Sequence, residues 1–403
     1  MRKSSVLTSS NSGSSAKVLL SMFLSNEGGG VEEGLPSLFE DMLARGWIIH
    51  HLSPAGFSGV NHRNFFHHPT SERWRRLYAS LSFSSAFYSL QAMLMSVLIQ
   101  KKQKISVVYV SLLQDFPTGL MLRFLNRNTR IVYSVHSDAL KLTILGKSEL
   151  PPFLLRAYVY LLRKLERMAL ERSNLVVFVS AGLMHTIESY HPGLSISSIR
   201  VILNSIPATW RRQEETLRGE IGTKDVRIVG YLGKLTKAKG VFHLLDAFAI
   251  LKEAVPNALL VFVGDGMEEK SLRSLVSRRG IGGVHFLGWR EDVIPLVAGF
   301  DVLVLPSLSE GFGRALLAGL VCDIPTFGSK VDGIVDVLGF DDLMFEPGDV
   351  RQLAEKLISA LRSNDQYDRL KELGRQRLQA LKSMKPQSVA DAISWTAENG
   401  GST

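Results

Sequence analysis

Cysteine is almost absent from this sequence of 403 residues, which has a single thiol at Cys322. One cysteine excludes a disulfide framework and a zinc cluster built from cysteines, and it is typical of proteins in a reducing compartment. The sequence also lacks His or Cys pairs at metal-ligand spacing, so we expect neither a metal nor another cofactor. The first segment, MRKSSVLTSSNSGSSAK, continues into serines instead of an apolar core, which indicates a frayed start and not a signal peptide.

The composition is that of a folded protein. Hydrophobic residues make up 45% of the chain and charged residues 21%, with 34 glycines, which excludes a disordered chain, a collagen-like repeat and a solenoid of short units. A length of 403 residues exceeds one typical hydrophobic core. We therefore expect two domains of about 200 residues each in a cytoplasmic protein.

Positive charge is concentrated in the first half of the chain. Residues 1–200 contain 22 Lys and Arg against 12 Asp and Glu, whereas residues 201–403 contain 25 against 26. This excess predicts contact with nucleic acid, anionic lipid headgroups or a phosphorylated substrate, with charge that serves solubility alone as the alternative. The densest cluster is Arg73, Arg75 and Arg76 beside Trp74, and it is followed after a long apolar run by Lys101, Lys102 and Lys104.

A lipid interface suits this cluster better than a nucleic acid. No zinc-finger, RNA-binding or helix-turn-helix pattern accompanies the charges, and an aromatic residue among arginines fits a headgroup layer. The adjacent charge-free run, Leu77–Gln100, reaches membrane-spanning length but holds six serines and two glutamines, which are costly in hydrocarbon. We interpret it as a buried or interfacial amphipathic helix, in a protein that is soluble or peripheral on the cytoplasmic face of the inner membrane.

Short apolar runs alternate with amphipathic stretches along the whole chain. The predicted strands are Val18–Leu24, Trp47–Leu52, Ile105–Val110, Arg130–Val135, Leu175–Val179, Arg227–Leu232, Ala258–Val263, Val284–Leu287 and Val302–Leu305. The clearest predicted helices are Leu154–Leu170, Val241–Ala254 and Leu353–Leu361. The pattern restarts at Arg227 after a charged stretch, Trp210–Asp225, which we interpret as a linker. This alternation predicts an α/β protein with two Rossmann-like, doubly wound parallel-sheet domains that face a central cleft.

Ligands of doubly wound sheets bind at the carboxyl ends of strands, and four predicted strand ends carry unusual residues. The first is SNEGGGVEEG (25–34), where glycine amides and a helix N-terminus let the backbone approach an anion closely. It matches neither the G-x-G-x-x-G pattern nor the Walker motif. The second is YSVHSD (133–138), in which His136 ends a strand and has either a structural or a functional role.

The other two strand ends carry charge. GYLGKLTKAKG (230–240) places Lys234 and Lys239 across a strand-to-helix turn, where both can reach one phosphate; two ordinary surface lysines are the alternative. PSLSEGFGRALLAG (306–319) places Glu310 before a helix, either as a cap or as a partner for sugar hydroxyls. Together the four strand ends predict a metal-free nucleotide-sugar site, where cations and a helix dipole stabilise a leaving diphosphate.

The motifs resemble those of the family 4 retaining glycosyltransferases of GT-B fold. The resemblance covers most of the chain and is strongest from Val201 to Pro347; PSLSEGFG with GKLxxxKG upstream is its specific part, and the N-terminal motifs are loose. The segments that carry it are GGGVE (28–32), VHSD (135–138), VSAG (179–182), VILNSI (201–206), GKLTKAKG (233–240), LVFVGDG (260–266), VHFLGW (284–289), VLVLPSLSEGFG (302–313) and FEPGD (345–349).

The resemblance implies a metal-independent hexosyltransferase that uses a nucleotide diphosphate sugar and acts with retention. It implies an oxocarbenium-like transition state, with the leaving phosphate taking the proton of the acceptor. Among the implied catalytic residues, Lys234 and Lys239 hold the diphosphate, Glu310 binds sugar hydroxyls and His136 approaches the sugar. The remaining implied donor-binding residues are Gly29, Gly30, Gly233, Gly311, Phe312, Gly313, Arg314, Ala315 and, near the base, Arg290.

The resemblance also implies how the chain is divided. We expect an acceptor-binding domain over residues 1–206, a donor-binding domain over residues 207–385, and a C-terminal helix within 386–403 that packs back on the first domain. Together with the positive charge of the first half of the chain, the resemblance predicts a glycan or lipid-linked acceptor in polysaccharide or lipopolysaccharide biosynthesis.

Two positions depart from the family pattern. Lys234 stands where arginine is usual, which keeps the charge but loses the bidentate fork. The family has two glutamates eight positions apart, and the second, which contacts the ribose, is replaced by Ala318. Losing one charged hydrogen bond costs about 1.5–3 kcal/mol of binding. A non-catalytic GT-B module that binds donor or lipid is therefore an alternative function, and a sugar-nucleotide epimerase is a more remote one.

Overall fold

The computed structural model describes residues 17–22, 30–54, 60–70, 84–146, 150–207, 209–222, 225–384 and 388–399. These residues form two compact units. The first holds the described residues up to Val110, Gln114–Val132, and those from Ile393 onward; the second holds Ser111–Leu113 and Tyr133–Ala392. The domain boundaries predicted at residues 206 and 385 stay predictions.

The first sheet has seven short strands rich in valine, isoleucine and leucine, which favour extended backbone. In chain order they are β1 (Val18–Met22), β2 (Ile48–Pro54), β3 (Phe65–Thr70), β4 (Val107–Val110), β5 (Arg130–Val135), β6 (Leu175–Phe178) and β7 (Ile199–Val201). Their spatial order is β3-β2-β1-β4-β5-β6-β7. The pairs β1–β2, β1–β4, β2–β3 and β6–β7 are parallel. Every residue of β4 and β6 is buried, as expected for a parallel sheet that is covered on both faces.

Helices connect these strands, and the predicted helix Leu154–Leu170 lies within one of them. They are α1 (Gly30–Ala44), α2 (Ser84–Lys102), α3 (Phe116–Leu125), α4 (Ala139–Gly146), α5 (Pro152–Arg172) and α6 (Ala181–Tyr190). Helix α2 contains the described part of the charge-free run Leu77–Gln100. Its Ala92, Ser96 and Ile99 are buried, whereas Leu94 and Leu98 are exposed. Among the described residues, none of the helices combines the length and the apolar character that crossing a membrane requires.

The second sheet has the strand order of a Rossmann fold. Its strands are β8 (Arg227–Leu232), β9 (Ala258–Val263), β10 (Val284–Gly288), β11 (Val302–Leu305), β12 (Thr326–Ser329) and β13 (Met344–Phe345). They lie side by side as β10-β9-β8-β11-β12-β13, and all the pairs are parallel. The chain starts at the centre, moves outward to β10 and then crosses to β11. The direction of winding therefore reverses between β8 and β11, which is where such sheets bind their ligands.

The helices of this half are mostly short. They are α7 (Leu217–Ile221), α8 (Val241–Ala254), α9 (Glu269–Arg279), α10 (Ile294–Val297), α11 (Arg314–Val321), α12 (Asp332–Leu338), α13 (Val350–Arg362), α14 (Asn364–Ser383) and α15 (Val389–Asn399). In the first compact unit, Glu398 of α15 accepts a hydrogen bond from Lys17 at 2.7 Å. This contact links the start and the end of the described chain.

The interpretation of Trp210–Asp225 as an unpatterned linker is wrong for part of its length. Residues 217–221 form α7, and Leu217 is fully buried in an apolar cluster with Ile228 and Phe300. Arg218 donates to the carboxylate of Asp301 at 2.9 Å. The charges of this stretch therefore flank apolar side chains, Trp210, Leu217 and Ile221, that pack into the core beside the second sheet.

Candidate functional site

The candidate site lies at the reversal point of the second sheet. Strands β8 and β11 are neighbours, with Leu303 opposite Gly230. The carboxyl ends of parallel neighbours emerge at the same edge, so the turn after β8 and the turn after β11 meet there. All the residues of these two turns belong to the second compact unit.

The turn after β8 carries the two predicted lysines. Tyr231 donates its hydroxyl hydrogen bond to the carbonyl oxygen of Lys234 at 2.7 Å, and the Leu235 amide donates to Asp265 O at 2.7 Å. A short 3-10 helix, Lys237–Lys239, then leads into α8. These bonds hold the turn after β8 against the loop after β9. Lys239 is the last residue of the 3-10 helix.

The turn after β11 is locked against the first turn through the backbone. The Leu308 amide donates to Ala238 O at 2.8 Å. Gly240 has φ of +66°, and a Cβ at this position would overlap the carbonyl oxygen of Pro306. Only glycine combines this left-handed backbone with so close an approach. The glycine of the KG motif before α8 is therefore required for the two turns to pack together.

Lys239 and Glu310 meet between these turns. The Lys239 ammonium donates to Glu310 Oε2 at 2.6 Å, and Ser307 Oγ donates to the same oxygen at 3.2 Å. The side chains are 27% and 13% exposed, so this ion pair is only partly solvated and stays accessible from one side. Burial, followed by the charge of Glu310, raises the pKa of Tyr231 well above its usual value. Tyr231 is therefore a neutral hydrogen-bond donor at the base of the site.

Helix α11 begins directly beside this pair. Gly313 caps it with φ of +83°, and Phe312 is buried beneath the turn. Arg314 and Ala315 form its first turn and are partly exposed. The N-terminus of a helix carries unsatisfied N–H groups and a partial positive charge, so this end adds to the Lys239 ammonium as a binding surface for phosphate oxygens.

His136 adjoins the turn through its backbone. It follows β5, and a Cβ at Gly311 would overlap the His136 carbonyl oxygen, so only glycine fits there. Its Nε2 atom is buried and accepts or donates no hydrogen bond among the residues that the structure describes. Burial lowers the pKa of His136 to about 4. The imidazole is thus neutral near pH 7 and has an unused hydrogen-bonding atom.

Two residues that the sequence reasoning missed hold the Glu310–Gly311 backbone. Ser180 Oγ donates to Gly311 O at 2.7 Å and caps α6 by accepting from the Leu183 amide at 3.1 Å. The amide of Gly333, in the first turn of α12, donates to Glu310 O at 3.2 Å. VSAG is part of the resemblance, but a contact between residues 131 positions apart leaves no trace in a single sequence.

Other predicted residues lie elsewhere or outside the described residues. Gly233 directly follows β8, and its amide donates to Val263 O at 3.0 Å. Arg290 forms an exposed ion pair with Glu220 of α7 at 2.5 Å, not with the Lys239–Glu310 pair. Gly30 is the first residue of α1, and Lys101 and Lys102 are exposed in the last turn of α2. Gly29, Arg73, Trp74, Arg75 and Arg76 lie outside the described residues.

Ala318 is fully buried in the apolar cluster that contains Leu217, Ile228 and Phe300. No polar atom is available at this position for a ribose. Among the described residues, no group of three or more His, Cys, Asp or Glu side chains is arranged to hold a metal ion.

Two family models match the chain in succession. The model of glycosyltransferase family 4 matches residues 28–210, and the model of glycosyl transferases group 1 matches residues 213–377. The second match contains both turns of the candidate site.

Individual proteins show the same similarity. The chain is 25% identical over 347 residues to N-acetyl-alpha-D-glucosaminyl L-malate synthase of Bacillus anthracis, a match that covers 84% of this chain and 86% of that protein. It is 30% identical over 157 residues to the lipopolysaccharide core biosynthesis glycosyltransferase LpsE of Rhizobium meliloti, 38% of this chain and 45% of that one. The solved structure of Anabaena HepE in complex with UDP and glucose shares the fold, with a TM-score of 0.69, 20% identity and coverage of 96% and 99%.

Proposed function

Because the chain belongs to the family 4 glycosyltransferases of GT-B fold, we propose that it transfers a hexose from a nucleoside diphosphate sugar to a glycan or a lipid-linked acceptor. Transfer proceeds with retention of the anomeric configuration and without a metal ion. The observation that carries this proposal is the pairing of Lys239 with Glu310 at 2.6 Å, at the reversal point of a Rossmann-type sheet.

The charges of the site suit a diphosphate sugar. Lys239 and the N-terminus of α11 supply positive potential for the diphosphate, which develops charge as it leaves. Glu310 supplies acceptor oxygens for sugar hydroxyls, and Ser307 keeps its carboxylate in place. A bound donor separates the two partners, so the ammonium turns to phosphate and the carboxylate turns to the sugar. Lys234, on the same turn as Lys239, is the second cation in this proposal.

His136 acts as a neutral hydrogen-bonding group. With its pKa lowered to about 4 by burial, its imidazole carries no charge that would oppose the positive charge developing on the sugar. The leaving phosphate takes the proton of the acceptor hydroxyl, so the proposal needs no carboxylate base. Gly311, Phe312, Gly313, Arg314 and Ala315 form the backbone around the sugar and phosphate.

The acceptor is proposed from charge and from the relatives. The basic first half of the chain and a match to a lipopolysaccharide core glycosyltransferase support an anionic or lipid-linked acceptor in envelope polysaccharide assembly. For such an acceptor we propose a location in the cytoplasm, peripheral to the inner membrane. UDP in a structural neighbour supports a nucleoside diphosphate donor.

A donor-binding module without catalysis is the second candidate, because Ala318 offers the ribose no carboxylate. The two functions differ in turnover. We expect the wild type to release nucleoside diphosphate from at least one member of a panel of UDP-, GDP-, ADP- and CDP-sugars when polyprenyl-linked or oligosaccharide acceptors are present.

Matched variants test the role of the ion pair. Glu310→Gln keeps the size of the side chain and removes its charge, and we expect turnover to fall by about a hundredfold. Lys237→Met is the control, since Lys237 lies in the same 3-10 turn but is exposed. Donor binding without turnover in the wild type would favour the module, and equal turnover in Glu310→Gln would refute the proposed site.

A further inference from the structure

Helix α5 exposes an apolar surface along its first turns. Phe153 is 70% exposed and Leu161 63%, and Leu154, Tyr158 and Tyr160 are exposed as well. At 100° per residue, these five side chains project within one half of the helix circumference. We call this half the α5 surface. A contiguous set of large exposed apolar residues marks an interaction site more often than a single exposed residue does.

The α5 surface is not the side by which the helix packs. The opposite side buries Glu166, Ala169 and Leu170, and there Glu166 Oε2 is hydrogen-bonded to His191 Nε2 at 2.8 Å. These anchors lie in the last two turns. The first three turns therefore carry large apolar residues that are exposed to solvent.

Basic residues accompany the apolar ones. Residues 150–165 contain Arg156, Arg163 and Lys164 and no aspartate or glutamate. The Lys164 ammonium lies 4.7 Å from the centre of the Tyr160 ring, so its charge rests on the exposed aromatic face. Arg156 and Arg163 project from the flank of the α5 surface. There a long side chain can keep its charged end in a polar environment while its stem covers apolar atoms.

We propose that the α5 surface docks the protein on an anionic lipid bilayer, with α5 lying in the headgroup layer. Aromatic and leucine side chains then enter the acyl boundary, and the flanking cations contact lipid phosphates. The charge pattern argues against a second copy as the occupant. A two-fold interface would bring this stretch against the same stretch of a second copy, where Arg156, Arg163 and Lys164 would meet cations and no carboxylates, and such like charges repel.

This inference rests on the peripheral location included in the proposed function, and it names the surface and the lipid charge that would bring that location about. The α5 surface shares no residue with the Lys239–Glu310 pair or with the cluster at residues 73–76. Vesicle binding is measured without any donor or acceptor, so its failure and the failure of the proposed catalysis are distinguishable.

The test is flotation of the full chain with two kinds of vesicle, phosphatidylcholine alone and phosphatidylcholine with phosphatidylglycerol. We expect binding to the anionic vesicles only. Phe153→Ser with Leu161→Ser should reduce the partition coefficient at least tenfold. Each charge near an anionic surface contributes about 1 kcal/mol, so Arg156→Ser should reduce it about fivefold.

Phe124→Ser is the matched control, since Phe124 is 86% exposed at the end of α3. It should float like the wild type, and all the substituted side chains are exposed, so the fold should tolerate them. The proposal is overturned if the wild type floats with neither kind of vesicle, or if the Phe153→Ser, Leu161→Ser variant floats unchanged. It is equally overturned if light scattering shows a dimer that this variant dissociates.

Discussion

Ala318 illustrates how one residue constrains the site. The resemblance implies a ribose-binding glutamate at this position, whereas Ala318 is fully buried among apolar side chains. We expect Ala318→Glu to lower the free energy of unfolding by about 3 kcal/mol or more, because a charge is buried without a partner and the core is overpacked. Chemical denaturation measures this. Val321→Glu, on the same helix at a partly exposed position, should cost much less; equal costs would mean that position 318 opens to solvent.

Ser180 is proposed as a positioning residue. Its hydroxyl holds Gly311 and caps α6, so Ser180→Ala should lose about 1–2 kcal/mol of stability. Because Gly311 adjoins Glu310, the variant should also raise KM for the donor severalfold. Ser173→Ala is the control. Ser173 is also buried and donates to Ala169 O at 2.6 Å, but it lies at the C-terminal end of α5. Donor KM that rises equally in both variants would remove the special role of Ser180.

At the scale of elements, the two turns of the site depend on Gly240. Gly240→Ala forces a left-handed alanine against the carbonyl of Pro306, which displaces Lys239 from Glu310. Gly280 has nearly the same φ, +62°, but no atom lies within 4 Å of a Cβ there. Both alanine variants carry the strain of about 1 kcal/mol, so the greater loss of stability in Gly240→Ala measures the turn contact. Equal losses in thermal unfolding would show that the turns can separate freely.

The histidines of strands β2 and β3 make the stability of the fold depend on pH. These strands carry His50, His51, His67 and His68, and burial lowers the pKa of all four, that of His51 to about 3. The unfolded chain therefore takes up protons near pH 6.5 while the folded chain does not, so stability present above that pH is lost as the pH falls. His51 alone should remove about 1.5 kcal/mol between pH 6.5 and 5.

Denaturation at several pH values tests this dependence. His51 lies 5.0 Å from the ring of Phe39, in an aromatic setting that suits the variant His51→Phe. The slope of stability against pH should become shallower in this variant. An unchanged slope would assign the acid sensitivity to other groups.

Over the whole molecule, the sequence predicted the regular parts of both sheets. Arg130–Val135, Arg227–Leu232, Ala258–Val263 and Val302–Leu305 are strands with the expected bounds, because each is a short and mostly apolar run. Strands β3, β7, β12 and β13 were not predicted. They are two to six residues long, and FFHHPT and TFGS mix polar and apolar residues without a strand period.

The part of the site that could be predicted from the sequence is the part that directly follows the strands. Lys239 and Glu310 follow neighbouring strands, so the alternation pattern alone predicted that they share an edge, and their ion pair agrees. Ser180, Gly333 and the backbone contact of His136 were not predictable. They depend on how three further segments pack behind Gly311, and periodicity along the chain carries no information on such contacts.

We propose that the turns holding Lys239 and Glu310 bind the diphosphate of the donor. Calorimetric titration of UDP, GDP and ADP into the wild type, Lys239→Met and Lys237→Met tests it most directly. We predict that at least one nucleotide binds the wild type, that Lys239→Met weakens it about tenfold or more, and that Lys237→Met stays within about twofold. Binding that is equally strong in Lys239→Met, or no binding of any nucleotide to the wild type, would contradict the account.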